Sequence, residues 1–131
     1  MNPVFLTLDE VLAIQADQLR RYGGAGGLRD LGLLESALAM PQSAFGGERL
    51  HPTLPEMASA YLFHLVKNHP FVDGNKRVGL AVSLAFLGLN DLRLEATEDE
   101  VVDLVLSTAS SAIGKADVAV FLRTHVVKWV P

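Results

Sequence analysis

Apolar residues recur at helical spacing along most of the chain, and polar or glycine-rich segments separate these stretches. Two capping boxes, Thr7 to Glu10 and Thr97 to Glu100, mark helix starts, because the hydroxyl and the carboxylate can each accept a hydrogen bond from a first-turn N–H group. The spacing predicts helices over about 8–21, from Asp30 to Pro41, over about 55–68 and 75–89, and after Thr97 and Asp117. We therefore predict an all-α bundle of about six helices with marginal strands.

The stretch from Asn75 to Leu89 is apolar on nearly every side, which predicts the central buried helix of the bundle. The segment 42–53 contains glycine and proline and is predicted to form a loop or a short hairpin. Alternating apolar positions after Leu89 indicate a possible short strand over residues 92–96. Asp117 is expected to cap the last helix, with Trp129 on its inward face.

Composition places the chain among globular proteins, with 50% hydrophobic and 20% charged residues. We find no repeat or linker, so residues 1–131 are predicted to form a single domain. The absence of cysteine excludes disulfides and thiolate chemistry and fits a cytoplasmic location. A net charge of −4 disfavours direct nucleic-acid binding. The N-terminus lacks a signal-peptide pattern, and residues 78–89 are too short to cross a bilayer, so no membrane association is expected.

The segment HPFVDGNKR, residues 69–77, joins the most regular predicted helix to the most buried one. A helix that begins at Asn75 offers unpaired N–H groups and the positive end of its dipole to an anion. Gly74 lets a ligand approach the backbone closely, and Lys76 and Arg77 add two cations. The segment therefore predicts a phosphate-binding site.

Two further side chains of the same segment add chemistry to this anion site. His69 is a base in the neutral pH range, and Asp73 is a carboxylate that can bind Mg²⁺. A base, a metal ligand and an anion site are what phosphoryl or nucleotidyl transfer requires. The alternative from composition alone is an ordinary Asp-Gly-Asn turn, with solvated cations and a structural histidine.

The segment resembles the signature of the Fic/Doc family, His-Pro-Phe-x-Asp/Glu-Gly-Asn-Gly-Arg-x-x-Arg. Lys76 replaces the second glycine and Leu80 the second arginine, which is the pattern of the Doc (death-on-curing) branch. Residues 20–24, 27–30 and 34–37 are also similar to the N-terminal part of Doc-like chains. The resemblance covers most of the chain, and its nine-residue motif is highly specific.

The resemblance implies a compact Fic-type helical fold and, for the family at large, transfer of AMP from ATP to a protein hydroxyl. For the Doc branch it implies instead the toxin of a type II toxin–antitoxin pair. Such a toxin is a protein kinase that transfers the γ-phosphate of ATP to a threonine of elongation factor Tu and arrests translation. Its implied cofactors are ATP and Mg²⁺, and its implied partners are an antitoxin protein and elongation factor Tu.

Carried over to this sequence, the resemblance makes His69 the general base, with Asp73 holding Mg²⁺ or orienting the acceptor hydroxyl. The residues that would bind phosphate are Gly74, Asn75, Lys76 and Arg77. Lys67, just before the motif, could add a cation, and the alternative for it is a solvated helix face. A glycine at position 76 would leave room for a deep phosphate, and an arginine at position 80 would hold the distal phosphates. Lys76 and Leu80 therefore disfavour the AMP-transferring pose.

Two other functions stay open at this point, namely AMP transfer and a catalytically silent binding module. The inhibitory Ser/Thr-x-x-x-Glu helix of many Fic proteins is absent, because no Ser or Thr is followed four residues later by Glu. Control is therefore expected from a second protein that folds onto an apolar surface near the motif. The segment 42–53 could position a substrate by main-chain pairing, as the flap of Fic proteins does.

Overall fold

A computed structural model describes residues 2–129, and within that range the chain forms six helices, one 3-10 turn and four short strands. The helices are α1 (Leu8–Tyr22), α2 (Leu31–Ala39), α3 (Leu54–Asn68), α4 (Asn75–Leu89), α5 (Glu98–Ala109) and α6 (Lys115–His125). The strands are β1 (Ala44–Phe45), β2 (Glu48–Arg49), β3 (Leu92–Leu94) and β4 (Val126–Lys128). The predicted all-α fold with about six helices is confirmed.

Both predicted capping boxes are present at the starts of α1 and α5. Thr7 Oγ1 accepts from the N–H of Glu10 at 3.2 Å, and Glu10 Oε1 accepts from the N–H of Thr7 at 2.8 Å. The box at Thr97 and Glu100 has the same two contacts at 3.1 and 2.9 Å. These helices begin where predicted because their start signals are local in sequence.

The core is centred on α3 and α4. α3 contacts α2, α4, α5 and α6, and its buried face includes Met57, Tyr61 and Leu65. α4 approaches α3 closely at Gly79, where an added Cβ atom would lie 2.9 Å from Val66 Cγ2 and 3.4 Å from the carbonyl oxygen of Leu62. This close contact holds the C-terminal end of α3 beside the N-terminal half of α4.

The C-terminal region differs from the prediction. α6 ends at His125, and Val126–Lys128 pair antiparallel with Leu92–Leu94, so the chain leaves the helix to form a two-stranded sheet. Trp129 is 50% exposed and does not face the core from a helix. The predicted cap is also wrong, because Gly114 is the N-cap and Asp117 lies three residues inside, accepting from the Gly114 N–H at 3.0 Å.

The segment between α2 and α3 contains the predicted short hairpin. α2 ends at Ala39 rather than at Pro41, because proline has no N–H to continue the helix and the chain tightens into a 3-10 turn over Met40–Gln42. β1 and β2 then pair antiparallel around Gly46 and Gly47, both at positive φ (59° and 81°). Within residues 2–129, none of the helices combines the length and hydropathy needed to cross a membrane.

Candidate functional site

An open pocket of about 350 Å³ lies where α3 ends and α4 begins. Its lining comes mainly from the connecting loop and the first turn of α4, with one residue each from α3 and α5: Val66, His69, Asp73, Gly74, Asn75, Lys76, Arg77 and Ala109. The structure therefore brings together six of the seven residues that the sequence predicted for the site. The seventh, Lys67, is not among the lining residues.

His69 terminates α3 in the left-handed conformation, with φ 52° and ψ 52°. Arg29 anchors this turn, because its Nε donates to the carbonyl of His69 at 2.7 Å and its Nη2 to the carbonyl of Asn68 at 3.0 Å. A cation at a helix C-terminus satisfies carbonyls that have no partner within the helix. Arg29 thus holds the backbone that carries the histidine.

The rest of the loop is docked on the segment 25–30. The N–H groups of Arg29 and Asp30 donate to the carbonyl of Pro70 at 2.7 and 3.0 Å, and the N–H of Val72 donates to the carbonyl of Gly27 at 3.1 Å. This role of Arg29 was not predicted from the sequence. The available signal was an arginine placed directly before the N-cap Asp30, within the stretch that is similar to Doc-like chains.

Asn75 engages its side chain within the loop. It is buried, its Oδ1 accepts from the N–H of Phe71 at 2.9 Å, and its Nδ2 donates to the carbonyl of Phe71 at 3.0 Å. The same Nδ2 lies 3.1 Å from Nδ1 of His69. Only the backbone N–H of Asn75 is left for an anion, while its amide joins the loop to the histidine ring.

Asp73 connects the loop to the glycine-rich run that follows α1. Its Oδ1 accepts from the N–H of Gly74 at 2.9 Å and its Oδ2 from the N–H of Ala25 at 3.3 Å. Gly24 has φ 116°, a conformation that favours glycine, and a Cβ atom there would lie 2.9 Å from Asp73 Oδ2. The carboxylate remains exposed and is the only acidic group among the lining residues.

The first turn of α4 supplies donors and positive charge. No acceptor within the described part of the chain reaches the backbone N–H groups of Asn75, Lys76 and Arg77, and the N-cap Gly74 (φ 77°) has no side chain to do so. Lys76 and Arg77 are both exposed, and the Arg77 guanidinium carbon lies 5.2 Å from the ring centroid of Tyr22. This turn has the features of an anion-binding site.

Lys67 is not among the residues that line the pocket. Its ammonium group donates to the hydroxyl of Ser111, in the turn that follows α5. Its predicted role as a phosphate-binding cation is therefore not supported by its position. The contact instead links α3 to the end of α5.

A second group of titratable side chains lies outside the pocket, between α3 and α6. Burial, together with the charge of Lys115, lowers the pKa of His64 to about 4. Burial also lowers the pKa of Lys115, whose Nζ lies 3.1 Å from Nε2 of His64. His64 is therefore neutral near pH 7 where it contacts Lys115.

A comparison with protein families identifies the description "Fic/DOC family" over residues 5–87. The toxin Doc of Mycolicibacterium smegmatis is 42% identical over 78 residues, which are 60% of this chain and 60% of that protein. The protein kinase doc of Escherichia phage P1 is 31% identical over 115 residues, which are 88% of this chain and 90% of that protein. The matched family segment contains the whole pocket loop and the first turn of α4.

Proposed function

This chain belongs to the Fic/Doc family, and we propose that it is the toxin of a toxin–antitoxin pair, acting as an ATP-dependent protein kinase. By resemblance to the Doc branch, its acceptor is a serine or threonine hydroxyl of a translation factor, elongation factor Tu. Two relatives carry names of this kind, toxin Doc and protein kinase doc. The match to the first spans about 60% of that relative's length, while the match to the second spans nearly all of it.

One observation carries the proposal, namely that a histidine and an anion site share one pocket. His69 lines the same cavity as the unpaired N–H groups and the two cations of the first turn of α4. Phosphoryl transfer depends chiefly on positioning and on neutralising phosphate charge, which this arrangement supplies.

In the proposed reaction, Lys76, Arg77 and the α4 N–H groups hold the phosphates of ATP. The acceptor hydroxyl attacks the γ-phosphorus, so a new O–P bond forms while the bond between the γ-phosphorus and the bridging oxygen breaks. ADP leaves with the electron pair of that bond, and His69 takes the proton from the hydroxyl. The products are a phosphorylated protein and ADP.

Asp73 fits the manner in which proteins hold Mg²⁺ beside a nucleotide. Mg²⁺ needs one or two carboxylates, with phosphate oxygens and water as the other ligands. Asp73 supplies one exposed carboxylate at the pocket, and residues 2–129 contain no cluster of three or more potential metal ligands. When bound, the ion would neutralise phosphate charge, and Asp73 would be its protein ligand.

The position of Leu80 favours γ-phosphoryl transfer over AMP transfer. Leu80 is half-buried and lines an apolar groove of about 190 Å³ with Val102 and Leu106 of α5. The first departure from the general family motif, Lys76, is exposed at the pocket itself. No cation therefore stands where the AMP-transferring members place their second arginine.

Labelled ATP separates the candidate activities. We expect label from the γ-phosphate on a protein of a bacterial lysate, and none from the α-phosphate. Label from the α-phosphate would instead support AMP transfer, and no protein label would support a silent binding module. The His69→Ala variant is the control, because it removes the proposed base and leaves the phosphate-binding groups in place.

We further propose that an antitoxin protein covers an apolar face beside the pocket. This face consists of Leu80 and Leu84 of α4, Val102 and Leu106 of α5, and Trp129, and grooves of about 190 and 500 Å³ run along it. The smaller groove is bordered by Lys76 and Arg77, so an amphipathic helix seated there would reach the catalytic pocket.

Bacterial growth tests whether a partner protein inhibits the chain in this way. Cells that make the intact chain alone should fail to grow, whereas cells that also make the partner, or that make His69→Ala, should grow. Leu106→Asp should stay toxic in the presence of the partner, because a carboxylate would replace an apolar contact. Val120→Asp, at a similarly exposed position on α6, should still be rescued. Robust growth with the intact chain alone would contradict the proposed inhibition by a partner protein.

A further inference from the structure

The side-chain amide of Asn75 has only one possible orientation, because both of its polar atoms face the backbone of Phe71. Its oxygen accepts from the Phe71 N–H at 2.9 Å, and its nitrogen donates to the Phe71 carbonyl at 3.0 Å. Exchanging the two atoms would place donor against donor and acceptor against acceptor. Since Asn75 is only 5% exposed, water could not compensate for that mismatch.

The fixed orientation of the Asn75 amide determines which ring nitrogen of His69 carries the proton. The Asn75 nitrogen lies 3.1 Å from Nδ1 of the His69 ring, and an amide nitrogen can only donate. Nδ1 must therefore be the nitrogen with the free electron pair. A neutral imidazole has one donor and one acceptor, so its single proton is on Nε2.

We propose that Asn75 is a positioning residue that holds neutral His69 as the Nε2–H tautomer. The mechanistic meaning of this inference rests on the proposed function. Nε2 has no partner within residues 2–129, and in this tautomer it donates a hydrogen bond to the pocket instead of accepting a proton. The arrangement is the reverse of a Ser-His-Asp triad, where a carboxylate accepts from Nδ1–H and leaves Nε2 free as the base.

The consequence concerns how His69 becomes a base. The ring can take a proton from the acceptor hydroxyl at Nδ1, or at Nε2 after its own proton has moved to Nδ1. Both routes require the contact between Asn75 and Nδ1 to open. The resting site is thus a proton donor towards an anion, and the base form arises only when the ring or the amide moves.

Another histidine provides an internal reference of the opposite kind. Nε2 of His64 lies 3.1 Å from the ammonium of Lys115, which can only donate, so neutral His64 has its proton on Nδ1. The chain therefore contains both arrangements for comparison in one spectrum.

Nitrogen NMR of the full chain, made by cell-free synthesis with ¹⁵N-labelled histidine and asparagine, tests the proposal without nucleotide. At about pH 8, where histidine is ordinarily neutral, we expect His69 to show a protonated Nε2 and a bare Nδ1, opposite to His64. We also expect a scalar coupling between Asn75 Nδ2 and His69 Nδ1. The His69→Gln variant assigns the signals. A proton on Nδ1 of His69, or no such coupling, would overturn the proposal.

Asn75→Asp provides the matching perturbation, because a carboxylate would accept a hydrogen bond from Nδ1–H and so reverse the tautomer. The control is Asn68→Asp, since the Asn68 side chain donates to the Leu33 carbonyl and does not contact the ring. An unchanged tautomer in a folded Asn75→Asp chain would also overturn the proposal, and if that variant does not fold, the coupling in the native chain decides. Neither measurement involves transfer, so failure of the proposed function would leave both results unchanged.

Discussion

His69, the proposed base, has an unusual backbone conformation. A non-glycine residue in the left-handed region costs about 1–2 kcal/mol, although histidine is among the residues found there most often. Arg29 binds its carbonyl and Asn75 contacts its ring, so two neighbours stabilise the turn. The position of the ring therefore depends on contacts that lie far apart in sequence.

Replacing His69 by alanine should lower phosphoryl transfer by about 10²–10⁴-fold, because the general base is lost. The free energy of unfolding should change little, since the side chain is exposed. Initial rates with the purified variant and its thermal unfolding measure the two effects. A rate equal to that of the native chain would show that His69 is not the base.

Lys76 and Lys67 form a matched pair for testing the phosphate contacts. Lys76→Met should lower γ-phosphoryl transfer by about 10- to 100-fold, because a cation beside the phosphates is lost. Lys67→Met should retain the native rate, because Lys67 donates to Ser111 outside the pocket. Initial rates over a range of ATP concentrations compare the two, and equal losses would contradict the assignment.

The sequence motif located the pocket, but the directions of individual side chains depended on contacts that it did not reveal. Helical spacing puts Asn75 on the same stripe as the buried Val78 and Val82, and this signal could have predicted its buried side chain. The hydrogen-bond partner of Lys67 could not be predicted, because Ser111 is 44 residues away in sequence.

At the scale of elements, the turn from α3 to α4 is built by docking onto the segment before α2. Arg29→Gln should lower the maximal rate more than it changes the Michaelis constant for ATP, because Arg29 holds the histidine backbone and does not line the pocket. We expect a stability loss of about 1 kcal/mol. Arg20→Gln is the control, since the exposed ion pair between Arg20 and Asp17 contributes less to the free energy of unfolding. A Michaelis constant that rises while the maximal rate is unchanged would contradict this role.

The contact between α3 and α4 can be tested with one substitution at two positions. Gly79→Ala should destabilise the chain by about 1–2 kcal/mol, because the new Cβ atom would lie 2.9 Å from Val66. Gly88→Ala meets its nearest atom at 3.6 Å and should be neutral or stabilising by up to about 1 kcal/mol through helix propensity. Urea unfolding of both variants measures the difference, and equal effects would contradict the packing described.

Element boundaries followed from the sequence where their signals were local. The capping boxes at Thr7 and Thr97 and the start of α4 at Asn75 needed no knowledge of distant contacts. The end of α6 could not be found in the same way, because the pairing of Val126–Lys128 with β3 is non-local and competes with continuation of the helix.

For the whole molecule, the contact between His64 and Lys115 predicts sensitivity to acid. The pKa of His64 is lowered to about 4 in the folded chain, so its contribution to stability is complete above the unfolded value of 6.5 and is lost as pH falls towards 4. The side chain is partly exposed, so after allowance for solvent screening we expect a loss of about 1–2 kcal/mol. Urea unfolding at several pH values should show this loss in the native chain and a smaller one in His64→Gln. Identical dependence of stability on pH in the two chains would contradict this role of His64.

The central claim is that this fold transfers the γ-phosphate of ATP to a protein, and the intact mass of a candidate acceptor tests it most directly. Purified elongation factor Tu would be incubated with ATP, Mg²⁺ and either the native chain or His69→Ala. We predict that the acceptor gains the mass of one phosphate with the native chain only. Addition of an AMP group, or an unchanged mass with the native chain, would contradict the account.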